Sequence, residues 1–153
     1  MEPPMTIRPL SEADHAVWHD LWQAYLAFYE TVLPEATYAR TWQRLLDPAQ
    51  PLHGALAWDG ERPLGLVHFI YNPSCWTESD YCYLQDLYVA QEHRGGGLGR
   101  ALIEHVYARA EADGCDRVHW LTQETNYPGR QLYDRIATRS GFIQYRHLLG
   151  DRS

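Results

Sequence analysis

Trp18, Leu21, Trp22, Tyr25, Leu26 and Tyr29 recur at three- and four-residue spacing and predict an amphipathic helix. Ser11 stands ahead of it as an N-cap, with Asp14 three positions later in the capping-box place. A short strand over 6–9 comes first. Pro34 opens a second helix that reaches about Leu46, and Asp47-Pro48 ends it. The period then changes. Residues 52–58 and 64–71 alternate about the Asp59-Gly60 turn, which predicts a hairpin. A polar loop over 72–79 leads to a β-prone run over 81–89. A helical pattern fills 97–113, with Gly114 as its C-terminal cap. A strand over 117–122, a helix over 129–140 capped by Gly141 and a closing strand over 142–149 complete the reading. The order βααβββαβαβ predicts an α/β fold, a mixed sheet with helices on both faces.

Composition narrows the class. A chain of 153 residues, 45% hydrophobic, suits one domain with one core, over 1–153. The net charge of −7 runs against a polyanion-binding surface, so no nucleic acid partner is expected. The same acidity favours approach of cationic molecules, although it also serves solubility alone. No apolar run reaches 18 residues, so no membrane partner is expected, and the start lacks a basic-then-apolar leader, which points to the cytoplasm. Cys75, Cys82 and Cys115 are odd in number and form no CxxC pair, as in a reducing compartment. His15 and His19 stand four apart on a helix, but no Glu or Cys completes a metal-site spacing, and no metal is expected.

The chemistry concentrates in Arg94-Gly95-Gly96-Gly97-Leu98-Gly99-Arg100, between the run over 81–89 and the helix after it. Strand, glycine-rich loop and helix N-terminus in that order make an anion site, because the first-turn N–H groups have no partners within the helix. The site suits a pyrophosphate. A dinucleotide fingerprint would need a third glycine where Arg100 stands, and a phosphate loop would need a Gly-Lys-Ser/Thr ending. The spacing present is R-x-x-G-x-G. A plain glycine-rich turn would use the same residues, so a second motif carries weight. Asn126, Leu132-Tyr133 and Gly141-Phe142 follow the next strand in order.

Together these motifs resemble the GNAT superfamily of N-acetyltransferases over about 81–145, with Gly129 where that family usually has alanine. Gln85-Asp86-Leu87-Tyr88-Val89, Trp120-Leu121-Thr122-Gln123 and Gly141-Phe142-Ile143-Gln144-Tyr145 look like the subgroup of yeast histone, polyamine and D-amino-acid acetyltransferases and their bacterial relatives. They are more distantly similar to spermidine/spermine and diamine enzymes. The first 75 residues match only loosely. The resemblance implies a mostly antiparallel central sheet, a homodimer and acetyl-CoA as co-substrate. The acceptor would be a primary amine of a small molecule (polyamine, diamine or amino acid), attacking directly in a ternary complex.

The resemblance also assigns roles. Main-chain N–H groups of Gly95, Gly96, Gly97, Leu98, Gly99 and Arg100 would cradle the pyrophosphate, with charge from Arg94 and Arg100. The backbone of Leu87, Tyr88 and Val89 would bind the pantetheine arm and the thioester oxygen. Asn126 would bond the amide arm, and the Tyr133 phenol would protonate the leaving thiolate. Related polyamine enzymes carry Glu-Asp where this chain has Gln85-Asp86. Gln85 cannot be a base, which leaves Asp86 or ordered water to take the amine proton. Tyr25, Tyr29, Glu30, Tyr83 and Gln85 are the acceptor-side residues, an aromatic wall with a carboxylate suiting a cation. A protein or peptide acetyltransferase and a silent CoA-binding sensor are the alternatives.

Overall fold

The computed structural model describes residues 5–150, in two compact units divided between Leu121 and Thr122. The first unit is built on a five-stranded sheet in the order β1-β2-β3-β4-β5. Its strands are β1 (Met5–Pro9), β2 (Leu52–Asp59), β3 (Arg62–Pro73), β4 (Asp80–Val89) and β5 (Arg117–His119). The first four are antiparallel neighbours, and β5 joins β4 in parallel. The helices are α1 (His15–Phe28), α2 (Glu35–Leu46) and α3 (Leu98–Ala112). The mixed, mostly antiparallel sheet is the one expected.

Neighbouring residues Leu66 and Val67 are both fully buried, so both faces of the sheet are covered. On one face, Trp18, Leu21, Trp22 and Leu26 of α1 and Tyr38 of α2 pack with Leu56, Trp58 and Leu66. On the other, α3 inserts Leu102, Ile103 and Val106 toward Val67, Phe69 and Leu84. Burying Leu or Phe side chains in this way contributes roughly 1.5–3 kcal/mol each. Large aromatics on one helix thus do for α1 what branched aliphatics do for α3.

Local signals set the helix ends. The Asp14 carboxylate accepts from the Ser11 backbone N–H at 3.0 Å and from its hydroxyl at 3.1 Å, so the capping box forms. A short 3₁₀ turn, Glu12–Asp14, leads into α1. At the end of α3, Gly114 takes φ +85°, donates to Glu111, and lets Cys115 N–H reach the Ala110 carbonyl. That is a Schellman closure, which favours glycine at its left-handed position. The three cysteines are free thiols, and burial pushes Cys82 up to about 12.

The second unit carries α4 (Tyr127–Ile136), and here the structure departs from expectation. The helix starts two residues before the predicted 129, because Asn126 caps it and Pro128 fits a first turn that needs no N–H. It ends at Ile136 with Ala137 as C-cap, so Gly141 lies beyond and does not cap it. The strand expected over 117–122 stops at His119. The closing strand over 142–149 is not formed: Phe142, Ile143, Tyr145, Leu148 and Leu149 are exposed. A strand exists only where a neighbour takes its backbone bonds, and alternation alone cannot supply one.

Candidate active site

The glycine loop begins at the end of β4. Ala90 N–H donates to the Leu64 carbonyl on β3 at 2.9 Å. Backbone groups alternate sides along a strand, so those of Leu87 and Val89 turn to the opposite edge, while those of Tyr88 turn to β3. Among the described residues, β5 pairs only with Tyr81, Cys82 and Tyr83. From residue 84 onward that edge of β4 has no strand beside it. The N–H groups of Leu87 and Val89 and the Leu87 carbonyl therefore have no strand partner among the described residues, while the Val89 carbonyl accepts from Arg94 Nε at 2.9 Å.

Gly95 and Gly97 take φ +88° and +83°, and Gly97 is the N-cap of α3. Residues 95–97 are exposed, whereas Leu98 is buried and anchors the helix start. The first turn of α3 holds no acidic side chain. Its free N–H groups and the helix dipole thus face solvent uncompensated, which fits a pyrophosphate. The arginines are partly committed. Arg100 Nε pairs with Glu104 at 2.6 Å along the helix. Arg94 lies over the rings of Phe28 and Tyr88, 5.3 and 5.7 Å from their centroids.

Beside the open edge sits an aromatic and acidic group. Tyr25 stacks on Trp22 at 5.0 Å, tilts against Tyr29 at 5.1 Å and meets Tyr88 edge-on at 6.3 Å. Burial, followed by the charge and side-chain hydrogen bond of Asp86, holds the Tyr25 phenol protonated above its ordinary range; Tyr29 and Tyr83 add smaller effects. Tyr25 thus bonds to Asp86, and Tyr29 and Tyr83 lie close to Tyr25. Tyr83 also stacks on His119 at 5.5 Å. Gln85 is exposed, and Glu30 is exposed at the end of α1.

Glu30 has φ 56°, a positive value shared with no other non-glycine among the described residues. Its N–H donates to Ala27, and Thr31 N–H donates to Leu26. The pattern is again a Schellman closure, with glutamate where glycine costs least.

In the second unit, Asn126 Oδ1 accepts from Gly129 N–H at 3.4 Å, and Nδ2 donates to the Thr122 hydroxyl at 2.9 Å. A Cβ at position 129 would lie 2.5 Å from Asn126 Nδ2, so glycine there makes room for this cap. Leu132 and Tyr133 are half-buried on α4, with Tyr133 two turns beyond Asn126.

The sequence reading missed one residue. His68 is buried, and its Nδ1 lies 3.0 Å from Asp86 Oδ2 while its Nε2 accepts from Trp18 Nε1–H at 3.0 Å. Its available signal was a histidine inside an otherwise apolar strand run. His15 and His19 pack instead against Trp42 and Tyr38, and His19 pairs with Glu35 at 3.1 Å. Among the described residues, no three His, Cys, Asp or Glu side chains are grouped to hold a metal ion. None of the described helices is long and apolar enough to cross a membrane.

Known proteins resemble this chain in sequence and in fold. The acetyltransferase (GNAT) family model matches residues 17–137. A D-amino-acid N-acetyltransferase of Saccharomyces cerevisiae is 33% identical over 144 residues, covering 93% of this chain and 89% of the yeast protein. A thialysine N-epsilon-acetyltransferase of Caenorhabditis elegans is 33% identical over 56% of this chain, which spans about half (52%) of that enzyme. A crystal structure described as a probable acetyltransferase superposes with a TM-score of 0.85 at 21% identity, covering 96% of this chain and 99% of the other, and so supports the fold.

Proposed function

Because the chain belongs to the acetyltransferase (GNAT) family, we propose that it is an acetyl-CoA-dependent N-acetyltransferase of small amines. Its acceptor is the primary amine of an amino acid, a diamine or a polyamine, and the reaction is a direct attack in a ternary complex. The observation that carries this reading is the Asp86 carboxylate hydrogen-bonded to Tyr25, which Tyr29 and Tyr83 neighbour in turn, next to the open edge of β4. Aromatic faces and a carboxylate attract an ammonium group. The names of the yeast and nematode relatives, both enzymes of amino-acid amines, support the same class.

Acetyl-CoA supplies the activated acetyl thioester when bound. The N–H groups of Gly95 to Arg100 hold its pyrophosphate, and Arg94 keeps the loop against β4. Leu87 and Val89 offer backbone groups to the pantetheine arm, and Val89 or Leu87 N–H polarises the carbonyl. Asn126 contributes an amide contact. Asp86 takes the proton of the acceptor ammonium, directly or through water, so that the neutral amine attacks; a C–N bond forms and the C–S bond breaks. Tyr133 gives its phenolic proton to the departing sulfur, and the second proton, shed by the new amide nitrogen, restores the phenol through water. Glu30 and Gln85 border the acceptor. One N-acetyltransferase domain over 1–153 is part of this reading, and a family match that spans 17–137 supports it. A homodimer in the cytoplasm, with no bound metal and no nucleic acid or membrane partner, completes the reading.

The test is a panel of L- and D-amino acids, diamines, polyamines and basic peptides, read by thiol release from acetyl-CoA. Turnover of small amines is the expected result. Acetylation of peptides alone would move the assignment to a protein acetyltransferase, and acetyl-CoA binding without any turnover would indicate a sensor.

A further inference from the structure

The carboxylate at the centre of this site is held by a chain of two buried rings. Trp18 is fully buried, and its indole N–H, a donor only, gives its hydrogen to His68 Nε2 at 3.0 Å. Nε2 is therefore unprotonated, and the single ring proton sits on Nδ1. Nδ1 faces Asp86 Oδ2 at 3.0 Å and donates to it. The Asp86 side chain is only 12% exposed. Trp22 packs edge-on against the imidazole at 4.8 Å, which blocks its rotation.

The backbone cooperates. His68 pairs with Asp86 across β3 and β4, but the next pair is Phe69 with Leu84. Gln85 is the extra residue of a β-bulge, and without it Gln85 would stand opposite His68. The bulge thus re-aims the strand so that the carboxylate, rather than the amide, meets the imidazole. The titratable groups here are His68 on β3 and Tyr25 on α1 against Asp86, with Tyr29 at the C-cap of α1 and Tyr83 on β4 near Tyr25.

We propose that His68 is a positioning residue: Trp18 imposes its Nδ1–H tautomer, and that hydrogen holds Asp86 as an acceptor facing the incoming ammonium. This rests on the reading of Asp86 as the group that receives the amine proton. Nδ1 is already occupied, so the proton stops at Asp86 and does not pass to the ring.

Two isosteric variants separate this role from packing. His68→Asn keeps a donor near the Nδ1 place, and His68→Gln keeps a polar group near the Nε2 place but removes the donor to Asp86. His68→Gln is expected to lower kcat/KM for the amine by roughly tenfold or more with acetyl-CoA affinity unchanged by calorimetry, and His68→Asn to recover most of that loss. Equal activity of the two folded variants would overturn the proposal. Nitrogen-15 NMR of the wild-type protein supplies an assay-independent arm. A protonated Nδ1 and bare Nε2 are expected at neutral pH, with Trp18→Phe releasing the ring to the other tautomer; a proton on Nε2 in the wild type refutes the tautomer assignment. If no small amine is turned over, the acceptor reading and the positioning role fall together, while the NMR result still stands or falls alone.

Discussion

Arg94 Nε donates to the Val89 carbonyl at 2.9 Å, closing the glycine loop back onto the open edge of β4. Its guanidinium also lies over Tyr88, whose ring meets Tyr25. The glycine loop and the aromatic group around Tyr25 are thus neighbours through one arginine and one tyrosine. Arg94→Ala should free the loop and weaken acetyl-CoA binding by roughly tenfold, about 1.4 kcal/mol. Arg94→Lys should not restore it, because an ammonium cannot both bond the carbonyl and stack on the ring as a planar guanidinium does. Titration calorimetry of the two variants checks this.

Gly97 is N-cap of α3 with φ +83°, and beyond its adjacent residues a Cβ placed there would meet nothing within 4 Å among the described residues. The cost of a side chain is then backbone strain, about 1–2 kcal/mol, plus obstruction of the anion site. Gly97→Glu should remain folded with a modest loss of melting temperature and bind acetyl-CoA at least tenfold more weakly. Unchanged affinity in the folded variant would remove the loop from the cofactor site.

Glu30 occupies a left-handed position that glycine fills without strain. Glu30→Gly should raise stability by roughly 0.5–1 kcal/mol in urea unfolding. If the carboxylate attracts the acceptor, the same substitution should raise KM for cationic amines and leave acetyl-CoA affinity alone. A rise in stability with unaltered KM would leave Glu30 as a helix terminator only.

Tyr133→Phe should cut kcat on the best acceptor by on the order of 10²-fold while acetyl-CoA binding holds. Wild-type turnover in the Phe variant would assign the proton to another group or to water.

Burial first, then nearby arginine, lowers His53 and His105 (Arg109) and His119 (Arg117) below the ordinary histidine range. Folded values below about 6.5 mean that the unfolded chain binds more protons in that window, so stability rises with pH there. Their contribution is complete above about pH 6.5 and is lost as pH falls through the folded values. Asp113 is lowered, chiefly by the Tyr71 hydroxyl, so its contribution is present above the usual carboxylate range and fails only in stronger acid. Thermal melts should therefore fall between about pH 7 and pH 5, and His105→Gln combined with His119→Gln should flatten that slope. An unchanged slope would assign the decline to other groups.

Most of the element order was legible without coordinates, because helix period, turn chemistry and caps are properties of neighbours in the chain. Ser11 and Asp14 close their box, the hairpin turns at Gly60-Glu61, one residue on from the expected Asp59-Gly60 because Asp59 still pairs with Arg62, and Gly114 stops α3. The loop from Arg94 to Arg100 was equally plain, since its chemistry lies in contiguous backbone. Tyr25, Tyr29 and Glu30 were singled out by their place at the end of the first helix, and the hydrogen bond of Tyr25 to Asp86 waited on the packing of α1 beside β4.

What the sequence by itself determined is local: which segments turn, coil or extend, and where a helix N-terminus meets glycine. The tertiary structure alone decided three things. It opened the edge of β4 after Tyr83, because β5 stops at His119. It left residues 142–149 out of any described strand despite their alternation. It brought Trp18 to His68 across 50 positions and His68 to Asp86 across 18, using a bulge at Gln85 to choose which side chain faces inward. A bulge shifts register by one residue, and hydrogen bonds between distant elements depend on that register; neither quantity is written in the spacing of apolar residues along the chain.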